Sequence, residues 1–228
     1  LRWIETREAI GIGVGSAIAV SGDRLLAGWR FNSRTDPGDG MVGTMGGVDV
    51  ALASLSTSSG GHLWSHAFGG VNDDYLDHAL AADDGGFTLS VPMRGAVDLG
   101  GGFTVADAGS TQAVLLRYTL DGALSWVKTF GAGDTTSVTN VAMVPGSNRI
   151  AAYGEFSGAV DFGVRTLVAN GTRDLFLLFV DPVTGVPKGV TGYDEGYDGA
   201  RAMVSLGSAG SVLGYELGGR TIGLIRVP

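Results

Sequence analysis

Three tryptophans recur along this chain at a nearly fixed interval: Trp3, Trp64 and Trp126 stand 61 and 62 residues apart. Each lies in a similar segment, Leu1-Arg2-Trp3-Ile4-Glu5-Thr6-Arg7, then Leu63-Trp64-Ser65-His66-Ala67-Phe68, which is one residue shorter, then Leu124-Ser125-Trp126-Val127-Lys128-Thr129-Phe130. A period of this kind means one supersecondary unit used several times, each burying its faces on its neighbours.

Two more markers share the period. Extended segments reach Gly28, Val91, Gly154 and about Gly214, each after a short turn such as Ser21-Gly22-Asp23 or Asp83-Asp84-Gly85-Gly86. Such turns join two strands into a hairpin. Largely apolar runs follow at Asp49–Leu55, Ala113–Tyr118, Asp174–Val180 and Thr221–Val227. Near-continuous apolar runs of this length suit strands covered on both faces. The spacing therefore predicts four strands per unit, the blade of a β-propeller. The inner strands are expected near 16–20, 78–82, 140–144 and 200–205.

The expected fold is all-β, a propeller of four blades of about 62 residues. Blade one covers about 15–70, blade two 77–131, blade three 139–192, and blade four 199–228 plus 1–7. The chain starts on a Trp-bearing fourth strand and stops after a third strand. Residues 1–7 are thus expected to complete the last blade and close the ring, hiding sheet edges that otherwise invite aggregation. All 228 residues are read as one domain.

The order of signals in blades two and three is specific. Asp83-Asp84-Gly85-Gly86-Phe87-Thr88-Leu89 leads to Gly95-Ala96-Val97-Asp98-Leu99-Gly100, to the apolar run, and to Asp121-Gly122-Ala123-Leu124-Ser125-Trp126 with Phe130-Gly131. Blade three repeats it with Gly158-Ala159-Val160-Asp161-Phe162-Gly163 and Asp174-Leu175-Phe176-Leu177. This resembles the bacterial SBBP-type β-propeller repeat family, strongly from about 46 to 185 and weakly at the ends. The fourth blade departs from it, running from Gly218-Gly219 straight into Thr221-Ile222. The resemblance implies a secreted or cell-surface location and usually more than four blades, and it brings no catalytic motif.

Composition narrows the partners. With 44% apolar and 17% charged residues the chain has material for a core. A net charge of −8 with scattered basic residues argues against nucleic acid. There is no cysteine, which removes thiolate metal sites and cysteine nucleophiles. No apolar stretch approaches the roughly 20 residues of a spanning helix, so no membrane insertion is expected. Leu1–Thr6 has neither an initiator Met nor a signal-peptide pattern, which predicts a processed product or an excised domain.

Candidate sites follow from the blade plan. Asn72–Asp77 and Tyr193–Asp198 are equivalent acidic loops between blades, expected on the upper face beside the long loops 32–48, 93–112 and 156–173. Ser16, Asp77, Asn140 and Asp198 are placed around the channel mouth, with Tyr75, Tyr193 and Tyr197 as stacking faces. Clustered oxygens of this kind suit a sugar or Ca²⁺, although no regularly spaced calcium loop is present. The competing reading is that these groups cap strand ends and turns.

Trp29 falls outside the Trp register and is the one tryptophan considered for ligand contact. His62 and His66 lack a third ligand of matching spacing, so no metal site is assigned. Gly11–Gly15 lacks the βαβ setting of a dinucleotide loop. No Gly-x-Ser-x-Gly elbow occurs, and only Asp77 with Asp198 could be paired as facing carboxylates. No catalytic residue or cofactor is assigned. The expected function is an extracellular or cell-surface binding module for a protein or glycan. A structural scaffold is the alternative, and a polysaccharide hydrolase or lyase a distant third.

Overall fold

A computed structural model of the chain describes residues 3–76, 80–83, 85–131, 135–144, 146–193, 199–205, 211–217 and 221–227. Those residues form strands and no helix. In chain order the first strands are β1 (Ala9–Ile10), β2 (Gly13–Ser21), β3 (Arg24–Phe31), β4 (Arg34–Thr35), β5 (Val42–Gly43), β6 (Asp49–Ser56) and β7 (His62–Phe68). Next come β8 (Leu80–Asp83), β9 (Gly86–Met93), β10 (Val97–Gly100), β11 (Phe103–Val105), β12 (Gln112–Thr119) and β13 (Leu124–Phe130). They are followed by β14 (Thr136–Met143), β15 (Ile150–Phe156), β16 (Ala159–Asp161), β17 (Thr166–Val168), β18 (Asp174–Val180) and β19 (Pro187–Tyr193). The last three are β20 (Gly199–Ser205), β21 (Ser211–Leu217) and β22 (Thr221–Val227).

Three four-stranded antiparallel meanders result: β2-β3-β6-β7, β8-β9-β12-β13 and β14-β15-β18-β19. The fourth sheet, β20-β21-β22, has three strands among the described residues. Between the second and third strands each of the first three sheets carries an insertion with its own small ladder, namely β4–β5 with β1, β10–β11, and β16–β17.

The sheets stack face to face in chain order. The first strands are neighbours in sequence, β2 against β8, β8 and β9 against β14, and β14 against β20. The third strand of each sheet is read by period two. Val50 and Leu52 face the second sheet, where Val114, Leu116 and Tyr118 answer them. Ala113 and Leu115 face the third sheet, against Phe176 and Leu178. Leu175 and Leu177 face the fourth, against Ala200 and Leu213. A strand covered on both sides is apolar on both faces, which is why these runs do not alternate; Ser54 and Arg117 are buried exceptions, Arg117 held by Thr88 Oγ1 and Asp83.

The tryptophans fasten each sheet to the next. Trp64 Nε1 donates to Leu120 O at 2.8 Å and Trp126 Nε1 to Pro182 O at 2.9 Å, in each case the turn between third and fourth strands of the following sheet. The ring lies flat on a glycine of that turn: a Cβ added at Gly122 or Gly185 would come 2.7 Å from the indole. Both glycines have positive φ, 87° and 67°, so the turn demands glycine twice over. Trp3 makes the same contact on the first sheet, donating to Thr57 O at 3.0 Å over Gly60.

Pairing corrects the expected alignment by one residue. Asp49, Gln112, Asp174 and Thr221 open the third strands opposite Phe31, Met93, Phe156 and Leu217. Counting back, Trp29 matches Val91, Gly154 and Tyr215, so it stands inside the repeat. Gly28 matches Tyr153. A bulge follows this register, leaving Ser16, Thr139 and Arg201 as the unpaired residues of β2, β14 and β20. The inner strands start at Gly13 and Thr136 rather than near 16 and 140, because the pairing with β3 and β15 runs their whole length. Glycine spacing misled the alignment; hairpin pairing, where a one-residue slip reverses every side chain, sets the register.

The ends differ from expectation as well. Residues 3–8 form no strand and none of them joins β22. A segment with no ladder partner among the described residues is not a strand.

Candidate functional site

The connection from β7 to β8 is tied to two insertions. Asp74 N donates to Val48 O at 2.7 Å and Val48 N to Asp73 Oδ1 at 2.9 Å, fixing it to the insertion of the first sheet. Asn72 Nδ2 donates to Arg94 O at 3.0 Å, reaching the start of the insertion in the second sheet. Tyr75 donates its hydroxyl to Asp73 Oδ2 at 2.8 Å, and the Arg30 guanidinium lies 5.2 Å from the Tyr75 ring centre. The result is a junction of carboxylate, phenol and guanidinium where two sheets meet.

Two more carboxylates lie beneath it. Asp49 accepts from Met45 N and Asp74 from Gly70 N, both at 2.7 Å, and each keeps its other oxygen buried without a partner among the described residues. Burial pushes the Asp74 carboxyl up to about 6, the neighbouring Asp49 and Asp73 charges adding to it against the Gly70 and Arg94 backbone N–H groups. Asp49 is raised by burial too, partly offset by the Met45 N–H. Asp73, bonded by the Val48 N–H and the Tyr75 hydroxyl, is lowered. The exposed carboxylate is therefore held charged, and the inner pair holds its protons more tightly than a free carboxyl does. Asp74 has no solvent exposure, so it cannot serve as an acid toward a bulky substrate.

Among the sequence-selected residues, Ser16 and Trp29 come together. Both line a cavity of about 690 Å³ on the face of the first sheet turned away from the second, with Arg7, Ala9 and Ile18. Trp29 is only 9% exposed and donates to Thr35 Oγ1 at 3.1 Å, so its indole packs within the sheet. Ser16 bonds its own strand at Val14 O. Asn140 stands apart, its Nδ2 reaching Arg201 O at 3.3 Å and linking the inner strands of the third and fourth sheets. Ser16 and Asn140 sit within their strands, beside the bulges, rather than at the strand starts. Asp77, Tyr197 and Asp198 lie outside the described residues.

The histidines are occupied separately. His66 Nε2 pairs with Gly122 O at 2.7 Å and its ring stacks on Tyr118 at 4.8 Å, while His62 lies 3.8 Å from Asp39. Among the described residues no three His, Asp or Glu side chains are placed to hold a metal ion. Asp98 and Asp161 each accept from the N–H two residues on, at Gly100 and Gly163, the turn role their recurrence implied.

No family model matches the chain, and no curated protein matches it either.

Sequence reasoning missed Asp49, Arg30 and Arg7, and took Asp74 only as one member of an acidic loop. Asp49 and Asp174 carried a usable signal: both open an apolar third strand, and both accept from the N–H four residues earlier, Met45 and Asn170. Arg7 stands where the aligned segments have Phe68 and Phe130, a polar residue at an apolar seat.

Proposed function

We propose that the chain is four consecutive blades of a β-propeller and that it works as an extracellular or cell-surface module recognising a protein or glycan on its loop face. Four sheets stacked in chain order, inner strand beside inner strand, support the propeller. Among the described residues the last sheet has three strands, one fewer than the others. The resemblance to SBBP-type repeats supports the location.

The observation that carries the binding reading is the junction where Asn72, Asp73 and Tyr75 tie two insertions together and leave an ionised carboxylate beside an aromatic ring. A carboxylate accepting sugar hydroxyls next to a ring that stacks on the sugar face is a common way to hold a glycan. Asp77 and Asp198 belong to the same class of loop in sequence. A glycan array probed with the purified chain tests this. Asp73→Ala and Asp77→Ala are expected to weaken the best hit at least tenfold with unchanged melting. Parent-like binding by both overturns the reading.

The scaffold alternative has its own observation, an apolar face left open at each end of the stack.

A further inference from the structure

The two ends of the stack expose surfaces that are buried everywhere else. In the third sheet Val141 lies under the second sheet and is 8% exposed; Ile18, at the same register of the first sheet, is 65% exposed. At the other end Leu224 is 72% exposed, while Leu52, Leu115 and Leu177 at its register are fully buried under a following sheet. Among the described residues no sheet covers either of these two outer faces.

The occupant of the first face can be specified. Trp3 lies over Gly60 as Trp64 lies over Gly122 and Trp126 over Gly185, so residues 3–7 run where the fourth strand of a preceding sheet would run. That sheet must offer three strands and a free outer edge. The β20-β21-β22 sheet is of this kind, and its outer face carries Leu224. Arg7, in the phenylalanine seat, has Nε and Nη2 buried without an acceptor among the described residues, although its Nη1 pairs with Glu5 at 3.2 Å. The cavity of about 690 Å³ beside Arg7 is space that such a sheet would fill.

The same chain does not supply it in this arrangement. If the step from each sheet to the next were a quarter turn, β20 would lie against β2 as closely as β2 lies against β8. Among the described residues it does not. The first and last sheets are left apart, with a gap between them among the described residues.

We propose that the gap is filled by a second copy of this chain, joined head to tail. The β20–β22 sheet of each copy covers the first sheet of the other, and residues 1–7 of each add the fourth strand to the partner's β22. Two such contacts close a symmetric pair into one ring of about eight blades, within the usual range for propellers. This rests on the propeller reading above. Carrying the β6–β7 and β12–β13 registers over places Glu5 opposite Leu224.

The absence of native cysteine makes the contact easy to trap, since directly opposed strand residues are close enough for a disulfide. Glu5→Cys and Leu224→Cys chains are mixed under mild oxidation and run without reductant. A disulfide joining the two different chains is expected, together with twice the chain mass in solution by light scattering. Ile18→Lys should weaken the pairing at least tenfold while melting cooperatively. If instead the doubly substituted chain closes on itself and the parent has the mass of one chain, the second-copy proposal is overturned and a four-bladed ring is supported. If no disulfide forms by either route in folded protein, the placement of residues 1–7 as a fourth strand fails as well.

Discussion

The inner strands β2 and β14 hold the same place in their repeats but live in different surroundings. Both bulge at one residue, both pair along their length with the second strand, and both put aliphatic side chains toward the preceding sheet. Val141 and Met143 of β14 find the second sheet there, whereas Ile18 and Val20 of β2 find solvent. Burial in this molecule is therefore a property of the neighbour and not of the strand. In a stacked repeat, stability accrues at the interfaces between units.

That contrast can be broken most strongly at the third strands. In an Ile18→Lys background, where the ends stay apart, Leu177→Ala should cost about 4 kcal/mol of unfolding free energy in urea, through lost burial and the cavity it leaves. Leu224→Ala in the same background should change stability by less than about 0.5 kcal/mol, as a surface substitution does. Equal losses would mean the last sheet is covered by something within the chain.

The buried carboxylates offer a second contrast, between the junction of the first two sheets and the rest. The folded carboxyl of Asp74 is raised from 3.8 to about 6, so the folded state holds its proton more tightly than the unfolded chain. Its contribution is most favourable below pH 4 and is lost as pH rises through about 6. Asp74→Asn should match the parent near pH 4 and exceed it by up to about 3 kcal/mol at pH 7.5, since each tenfold difference in proton affinity between folded and unfolded chain is worth about 1.4 kcal/mol. A constant difference across that range would show that the titration lies elsewhere.

The smallest effect sharpens the Trp latch. Gly185→Ala puts a Cβ at positive φ against the Trp126 ring and should cost about 1–2 kcal/mol, read as a lower urea midpoint. Gly60→Ala, under Trp3, should move the midpoint the same way if Trp3 is seated as Trp126 is. No change at Gly60 would place the N-terminal segment off the turn.

Much of this was legible in the sequence because it is written in repeated, local terms. The Trp segments, the hairpin turns and the unbroken apolar runs each reflect a constraint that recurs in every unit, and they placed the first three sheets nearly strand for strand. The register was not legible to the residue. Gly28 and Gly154 look equivalent as letters, but pairing from the third-strand starters Asp49 and Asp174 matches Gly28 to Tyr153 and Trp29 to Gly154, and the bulges make Thr139, rather than Asn140, the counterpart of Ser16.

The site was less legible still. Asp73 and Tyr75 could be chosen as members of a polar loop, yet their partners, Arg30 on β3 and Val48 before β6, are distant in sequence. The raised carboxyl of Asp74 arises from burial under the insertion, which no local pattern records. Arg7 in a phenylalanine seat was visible in the alignment, but its meaning depended on knowing that nothing covers it.

The most direct test of the central claim, that four equivalent sheets follow one another around an axis, is a crystal structure of the purified chain. The expected result is β2, β8, β14 and β20 side by side in that order, with Trp3, Trp64 and Trp126 each over the glycine of the next sheet's turn. Sheets paired as a sandwich, or tryptophans turned away from Gly60, Gly122 and Gly185, would contradict it.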